Sequence, residues 1–485
     1  MKGEAAKNVA VGTLVAATLI TGVVLAFPGS GRQGPPPLPG PLARAETAAL
    51  AGAPASVPEL DALIADRRTW LKEHPKDEAS WAALGSAYTE RAVRAADWSA
   101  YGKAEQALKR SLATLPGERG NTDALLGLAV LAGARNDFVA AKEYATLARK
   151  QKPRRWTVHR ALVDAYSGLG DHKAAEKSLE SVQSLYDGPQ ARSLAARVYR
   201  DRGWREDAAA SAYDAVGAAR GAAERAHALW RLGELSWERG EPEEAVGSYD
   251  AALRLAPDLH PALAARARAL AALDRTDEAL RDYRAALTTA ALPEYALEAG
   301  ELAESLDLDA EATAFYGQVR AAGERAAAQG VNVRLTLARY EADHGDPAEA
   351  VRLLRAEWDG GRRSPETADA LAWALHRAGQ SKEGLPGLVK AMKDGPRSAL
   401  FAYHRGEIER SLGRYGAARR HIGEALRTNP SFSPLLAPAA RSALTALGEP
   451  PGGGPRKMTG REGQGGSSGK PANRQRSTST GQRVA

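Results

Sequence analysis

The run LWRLGELSWERGEPEEAVGSYDAALRLAP, residues 229–257, decides the fold. Leu229, Leu232 and Gly233 fall at helical spacing, and after Gly240 the same spacing resumes with Ala245, Tyr249, Ala252 and Leu253. Gly240 tolerates a left-handed turn between two helices, and Pro257 cannot continue the second one. The unit reads helix, tight turn, helix, stop, with one buried seam per pair.

Outward from this unit, the position of Ala245 is refilled at Ala104, Ala141, Ala175, Ala208, Ala279, Ala312, Ala350 and Ala418, with Gly384 replacing it once, at steps of 33 to 38 residues. Five residues before these positions stand Asn136, Gly170, Gly203, Gly240, Asp274, Asp307, Gly345, Gly379 and Gly413, all types that tolerate a left-handed turn. Twelve residues after them, Pro116, Pro153, Pro257, Pro396 and Pro430 close several units. Such a period marks a repeat array, whose units bury their apolar faces against neighbours and leave a long groove instead of a closed catalytic pocket.

The first full unit adds Trp81, Leu84, Gly85 and Tyr88, kept in part as Leu162 with Tyr166 and as Leu232 with Gly233. With a unit of 34 residues and a small residue between two helices, the chain resembles the tetratricopeptide repeat family. Ten repeats can be phased from about Glu78 to Pro430; in two of them Arg266 and Arg405 occupy places the family usually fills with Leu. The resemblance implies an all-α fold, a right-handed superhelical α-solenoid of about ten helix hairpins with capping helices. Leu63, Ile64, Trp70, Leu71 and Pro75 read as an amino-terminal cap, and Leu435, Leu436, Ala440, Ala443, Leu444 and Leu447 as a last amphipathic helix. Excess residues near Arg94 to Tyr101, Gly217 to Glu224 and Ala321 to Gly330 are expected to lengthen helices or loops.

The 485 residues carry a formal charge of +7, and the termini hold it. Residues 449–485 sum to +5 and residues 1–44 to +3, leaving −1 for the remainder, so no nucleic acid is expected as partner on net charge. Arg outnumbers Lys 50 to 16 and Ala and Gly abound, a composition resembling a high-GC, actinobacterial-like source. Cysteine is absent, which excludes thiol catalysis, thiolate metal sites, disulfides and a lipidated cysteine.

After Lys2 and Lys7 an uncharged apolar stretch runs over residues 9–27, a length that spans roughly 28 Å as a helix against about 30 Å of hydrocarbon. Residues 1–27 read as a transmembrane anchor with the following chain extracytoplasmic, or as a signal peptide cleaved after Ala26 and a secreted product. Residues 28–58, rich in Pro and Gly, read as a semi-rigid linker, residues 59–448 as the solenoid, and residues 449–485 as a disordered basic tail. The tail offers weak contact with anionic polymer or lipid, or serves as a solvated solubility tail. Gly465 to Lys470 lacks the first Gly and the final Ser or Thr of a phosphate-binding loop.

Nothing in the chain spells an enzyme. The nine histidines show no zinc-binding helical spacing, there is no G-x-S-x-G turn, and neither a metal nor a cofactor is expected. Carried over position by position, the family's concave face falls on Arg160, Asp164, Arg197, Arg200, Trp230, Glu234, Trp237, Glu238, Arg268, Glu301, Arg339, Asp369, Trp373, His376, Arg377, Tyr403, Glu407 and Arg410. Trp and Arg dominate binding energies. Trp230 and Trp237 are expected on the groove, with packing against the next repeat as the alternative, and Trp373 with Tyr403 likewise. The Asn and Lys clamp that some members use for a terminal carboxylate is missing. The chain is expected to be a non-enzymatic scaffold in the bacterial cell envelope that binds a peptide or helix of another protein. The alternatives are a carbohydrate or cell-wall polymer binder, with Trp230, Trp237 and Trp373 stacking on sugars, and an intracellular regulator.

Overall fold

The computed structural model describes residues 40–51, 54–393 and 395–448. The expected anchor or signal segment and the basic tail lie outside the described residues. Among the described residues the chain forms 23 α-helices and no strand. α1 (Pro41–Ala51) and α2 (Val57–Glu73) precede ten antiparallel hairpins. These are α3 (Glu78–Ala95) with α4 (Ala100–Thr114), α5 (Thr122–Ala134) with α6 (Phe138–Gln151), α7 (Trp156–Leu169) with α8 (His172–Leu185), and α9 (Pro189–Asp201) with α10 (Arg205–Ala218). Next come α11 (Ala222–Glu238) with α12 (Pro242–Leu255), α13 (His260–Ala272) with α14 (Thr276–Thr289), and α15 (Pro293–Ser305) with α16 (Asp309–Ala328). The last are α17 (Arg334–His344) with α18 (Pro347–Asp359), α19 (Pro365–Arg377) with α20 (Ser381–Lys393), and α21 (Ala399–Ser411) with α22 (Tyr415–Thr428); α23 (Leu436–Ala446) closes the stack.

The recurring alanine is the contact point of each pair. Ala104, Ala208, Ala245, Ala279, Ala350 and Ala418 have no exposed surface. At Gly384 a Cβ would come within 2.8 Å of the Ala372 Cα, so α19 and α20 approach more closely than alanine permits. The turns behave as the residue types require: Asn136, Gly170, Gly203, Gly240, Asp274, Asp307, Gly379 and Gly413 have positive φ. Gly345 is the exception at φ −140°, because the Glu341 carboxylate accepts the Asp346 N–H at 2.9 Å and closes that turn by side chain. The three insertions lengthen helices, giving α3 18 residues, α11 17 and α16 20, against 13 for α13 or α15.

Where Arg266 and Arg405 replace the usual Leu, ion pairs replace packing. Arg266 reaches both oxygens of Asp282, at 2.6 and 2.9 Å, and Asp250 at 2.7 Å. Arg405 donates to Glu409 at 3.1 Å, and the other Glu409 oxygen lies 2.6 Å from His421.

The linker expected over residues 28–58 is shorter than that, because Pro41–Ala51 is helical. Ala45 and Ala48 lie three residues apart and are fully buried in one cluster with Leu60, Leu63 and Leu84, and Arg44 pairs with Glu59 at 2.5 Å. The prolines on its amino side masked that short apolar stripe. α2 starts in a reciprocal capping box between Ser56 and Glu59. Leu63, Ile64 and Leu71 are buried as a cap requires, whereas Trp70 is 45% exposed, stacked on His74 and donating to Asp77 at 2.7 Å.

The coil also touches itself. The Asn332 N–H donates to the Arg135 carbonyl at 2.9 Å and Asn136 Nδ2 donates to the Asn332 carbonyl at 2.8 Å. The Arg363 N–H meets the Leu169 carbonyl at 3.2 Å, Arg205 meets the Arg397 carbonyl at 3.0 Å, and Asn429 Nδ2 meets the Trp237 carbonyl at 2.8 Å. The offset stays at 192 to 197 residues, so turns within four successive hairpins dock on loops between five and six hairpins further on. A Cβ on Gly170 would lie 2.5 Å from the Arg363 carbonyl oxygen, and one on Gly203 2.9 Å from the Gly395 carbonyl oxygen. Apolar packing joins the seam at one end, where Leu128 and Leu131 share a cluster with Ala326, Val331 and Val333.

Candidate functional site

The first helix of each hairpin turns one face to the inside of the coil, and there the charged residues pair with the neighbouring hairpin. Arg197 of α9 binds Asp164 of α7, which Arg160 also approaches at 3.9 Å. Arg200 reaches Glu238 of α11 at 2.5 Å and Asp201 at 3.1 Å. Arg268 of α13 lies between Glu234 at 2.9 Å and Glu298 at 3.4 Å, while the Tyr249 and Tyr283 hydroxyls donate to the same two carboxylates at 2.6 and 3.0 Å. Further along, His344 sits 3.7 Å from Glu301 and 3.3 Å from Glu304, and His404 lies 3.0 Å from both oxygens of Asp369. The inner face is a ladder of charges satisfied one repeat apart.

Enclosure by the coil shapes the titration of this ladder. Burial opposes ionisation of Glu234, but the Arg268 charge and the Tyr249 hydrogen bond outweigh it and hold its pKa below the usual carboxylate value. Arg231, whose side chain is exposed to the inner space of the coil, is pushed down to about 10 by its enclosure there and by the neighbouring Arg197 charge. His227 is held well below its ordinary value, first by burial and then by Arg94, whose guanidinium contacts its ring from the end of α3.

The aromatic residues divide. Trp237 is 7% exposed and packs in the cluster of Tyr249, Leu270 and Tyr283, with Arg268 stacked 5.2 Å over its ring. Trp373 and Tyr403 are each 5% exposed; the Trp373 Nε1–H donates to Asp343 at 2.9 Å and its ring stacks 4.2 Å from His404. These three belong to the junctions between hairpins, not to an open groove, because the following hairpin covers the carboxyl half of each first helix. Trp230, one face but two turns earlier on the lengthened α11, is only half-buried, and Arg231 lies 4.2 Å over its ring.

Of the other expected groove residues, Arg160, Arg197, Glu234 and Arg268 are half-buried and tied into the ladder. Arg339 is half-buried near Glu294, and His376 lies 2.9 Å from the Ser381 hydroxyl. Arg377 and Arg410 are exposed; Arg377 donates to the Ala342 carbonyl at 3.1 Å and Arg410 to Glu407 at 2.6 Å. Sequence reading missed that these charges answer one another, although Asp164 with Arg197 and Glu234 with Arg268 are 33 and 34 apart, one repeat length.

One part of the inner face opens into a cavity of about 2020 Å³. Its walls come from the α1–α2 junction, the inner faces of α7, α9 and α11, and the loops before α9, α11 and α13. Arg160, Asp164, Arg197 and Trp230 line it, so it gathers part of the expected site; Arg200, Glu234, Trp237, Arg268, Arg339, Trp373, His376, Arg377, Tyr403 and Arg410 lie elsewhere. Tyr186, Arg192 and Arg231 are lining residues that sequence reasoning did not select.

Residues 226–259 match the family model described as tetratricopeptide repeat. No curated protein matches the chain. A solved tetratricopeptide repeat protein from Parabacteroides merdae is 19% identical, with 53% of this chain and 98% of that one covered at a TM-score of 0.32. Human IFIT1, solved as a dimer with PPP-AAAA, is 14% identical over 65% of this chain and 72% of that one at 0.44. MamA is 19% identical over 35% of this chain and 91% of its own at 0.27. At these identities and scores the likeness concerns the fold alone. Residues 226–259 thus match a tetratricopeptide repeat, and the described residues form an all-α stack of ten helix hairpins with capping helices.

Proposed function

We propose that this chain is a non-enzymatic scaffold of the cell envelope, held there through residues 9–27, whose inner cavity receives a segment of another protein. The observation that carries the reading is the cavity itself. At about 2020 Å³ it exceeds the roughly 300–1,000 Å³ of small-molecule sites, and its wall combines an indole, a phenol and arginines, the types that anchor protein interfaces. The apolar run of residues 9–27 supports export, with either the anchored or the cleaved outcome. Of the three indoles a carbohydrate-binding reading would use, Trp237 and Trp373 are buried, and Trp230 on the cavity wall has Arg231 4.2 Å over its ring.

A photo-crosslinking residue at Ser193, which lines the cavity, tests the reading in intact cells. Crosslinks concentrated on one exported protein are the expected result. Absence of any protein crosslink from Ser193, or an identical crosslink pattern from an exposed site outside the cavity such as Tyr213, overturns it. Detergent-free washing that releases all of the protein from membranes removes the anchor from the proposal.

A further inference from the structure

The cavity wall is unbalanced in charge and in hydrogen-bonding capacity. Seven arginines face six carboxylates, and its two histidines stay neutral, with His260 lowered to about 4 by burial and His227 held lower than its ordinary value for the same reason. Five of the seven guanidinium groups have a carboxylate partner: Arg44 pairs with Glu59, Arg94 with Glu90, Arg160 and Arg197 share Asp164, and Arg192 pairs with Asp187, while at Arg220 it is the backbone N–H that meets Glu224. Arg231 has no ion pair among the described residues. Its guanidinium is exposed to the cavity and held 4.2 Å over the Trp230 ring, with the carboxylates of Glu234 and Asp201 near enough to act on it electrostatically but not to form an ion pair. Donors also exceed acceptors: Trp230 Nε1, Arg192 Nε and Arg197 Nε are buried without an acceptor.

Resting on the proposed function above, we infer that the occupant of this cavity is an acidic polypeptide segment, with one of its carboxylates placed against Arg231 beside the Trp230 ring. Each feature of the wall matches that chemistry. An excess of one cation suits a single carboxylate and the carbonyl-rich backbone of an extended chain. A nucleic acid, with one charge at every nucleotide, meets six carboxylates on the same wall. The chain's own ends are excluded by sign, because residues 449–485 carry +5 and residues 1–44 carry +3. The guanidinium lies over its ring without an ion pair, so a carboxylate gains a partner without displacing one.

The test uses the full chain and fluorescence anisotropy with three probes of equal length: a peptide alternating Glu and Ala, the same peptide with Gln for Glu, and a single-stranded oligonucleotide. The acidic peptide binds at least about tenfold more tightly than its Gln counterpart, and more weakly as salt is raised. Arg231→Gln lowers its affinity about tenfold and Arg231→Glu further, while Arg284→Gln, outside the cavity, leaves it unchanged; unchanged helicity by circular dichroism confirms that each variant is folded. Equal binding of the acidic and neutral peptides, preference for the oligonucleotide, or indifference to both Arg231 variants overturns the inference. A single exported protein crosslinked from Ser193, together with any of those results, leaves the scaffold reading standing and removes the acidic specificity alone.

Discussion

Gly170 and Gly379 separate the cost of a left-handed turn from the cost of keeping the coil closed. Both end the first helix of a hairpin, at φ +79° and +77°. An alanine at either site meets the steric penalty of the left-handed region, about 1–2 kcal/mol. Around Gly379 a Cβ has nothing within 4 Å, so Gly379→Ala loses that amount and no more. At Gly170 a Cβ would fall 2.5 Å from the Arg363 carbonyl oxygen and 2.6 Å from the Ser364 Cα, and both obstacles are backbone. The two turns of the coil must part there, which adds the hydrogen bond from the Arg363 N–H to the Leu169 carbonyl, about 1 kcal/mol, and the packing around it. Gly170→Ala should therefore cost about 2–4 kcal/mol in total. Urea denaturation followed by circular dichroism measures the totals. Because a repeat array can unfold in stages, amide hydrogen exchange at Arg363 supplies the local readout. Exchange there accelerates in Gly170→Ala and not in Gly379→Ala. Equal losses from the two substitutions, with Arg363 exchange unchanged in both, would show that the docking of one turn on the next contributes nothing.

Trp237→Ala should lower stability by about 3–5 kcal/mol, since it empties a site in the core between hairpins, and urea denaturation detects it; a folded variant of unchanged midpoint refutes the assignment to the core. Arg266→Leu, which restores the residue usual in this repeat, should destabilise by about 1–2 kcal/mol because it strands Asp282, whose side chain is 13% exposed; a gain in stability is the contrary outcome. At His344, burial disfavours the imidazolium, but the Glu301 hydrogen bond and the charges of Glu301 and Glu304 outweigh it and raise the pKa above 6.5. The stability from this group is therefore complete below pH 6.5 and disappears as pH rises through the folded-state value, and His344→Gln should flatten that dependence in unfolding curves taken from pH 6 to 9.

Much of the architecture is written in local terms. Alanine every 33 to 38 residues, a left-handed residue five before it and a proline after it specify hairpins, because each signal acts through the backbone of its own segment. The same locality let the three lengthened helices be placed. It did not extend to α1, where adjacent prolines concealed Ala45 and Ala48, nor to Gly345, whose turn is closed by a side chain.

The site was legible only in part. Register proposed an inward set of residues, of which Arg160, Arg197 and Trp230 line the cavity while Trp237, Trp373 and Tyr403 are buried between hairpins. Register cannot say how tightly the coil winds, since that depends on small angles added over many hairpins. The winding brings Asn429 onto Trp237 and Arg94 onto His227, 192 and 133 residues away, and so decides which inward residues are covered and which face open space. The sequence by itself therefore determined the hairpin and its repetition. Tertiary structure alone decided that Trp237, Trp373 and Tyr403 are core, that most inward charges are already paired, and that Arg231 lies over a ring without an ion pair among the described residues, because each of these follows from distances between segments that no local signal encodes.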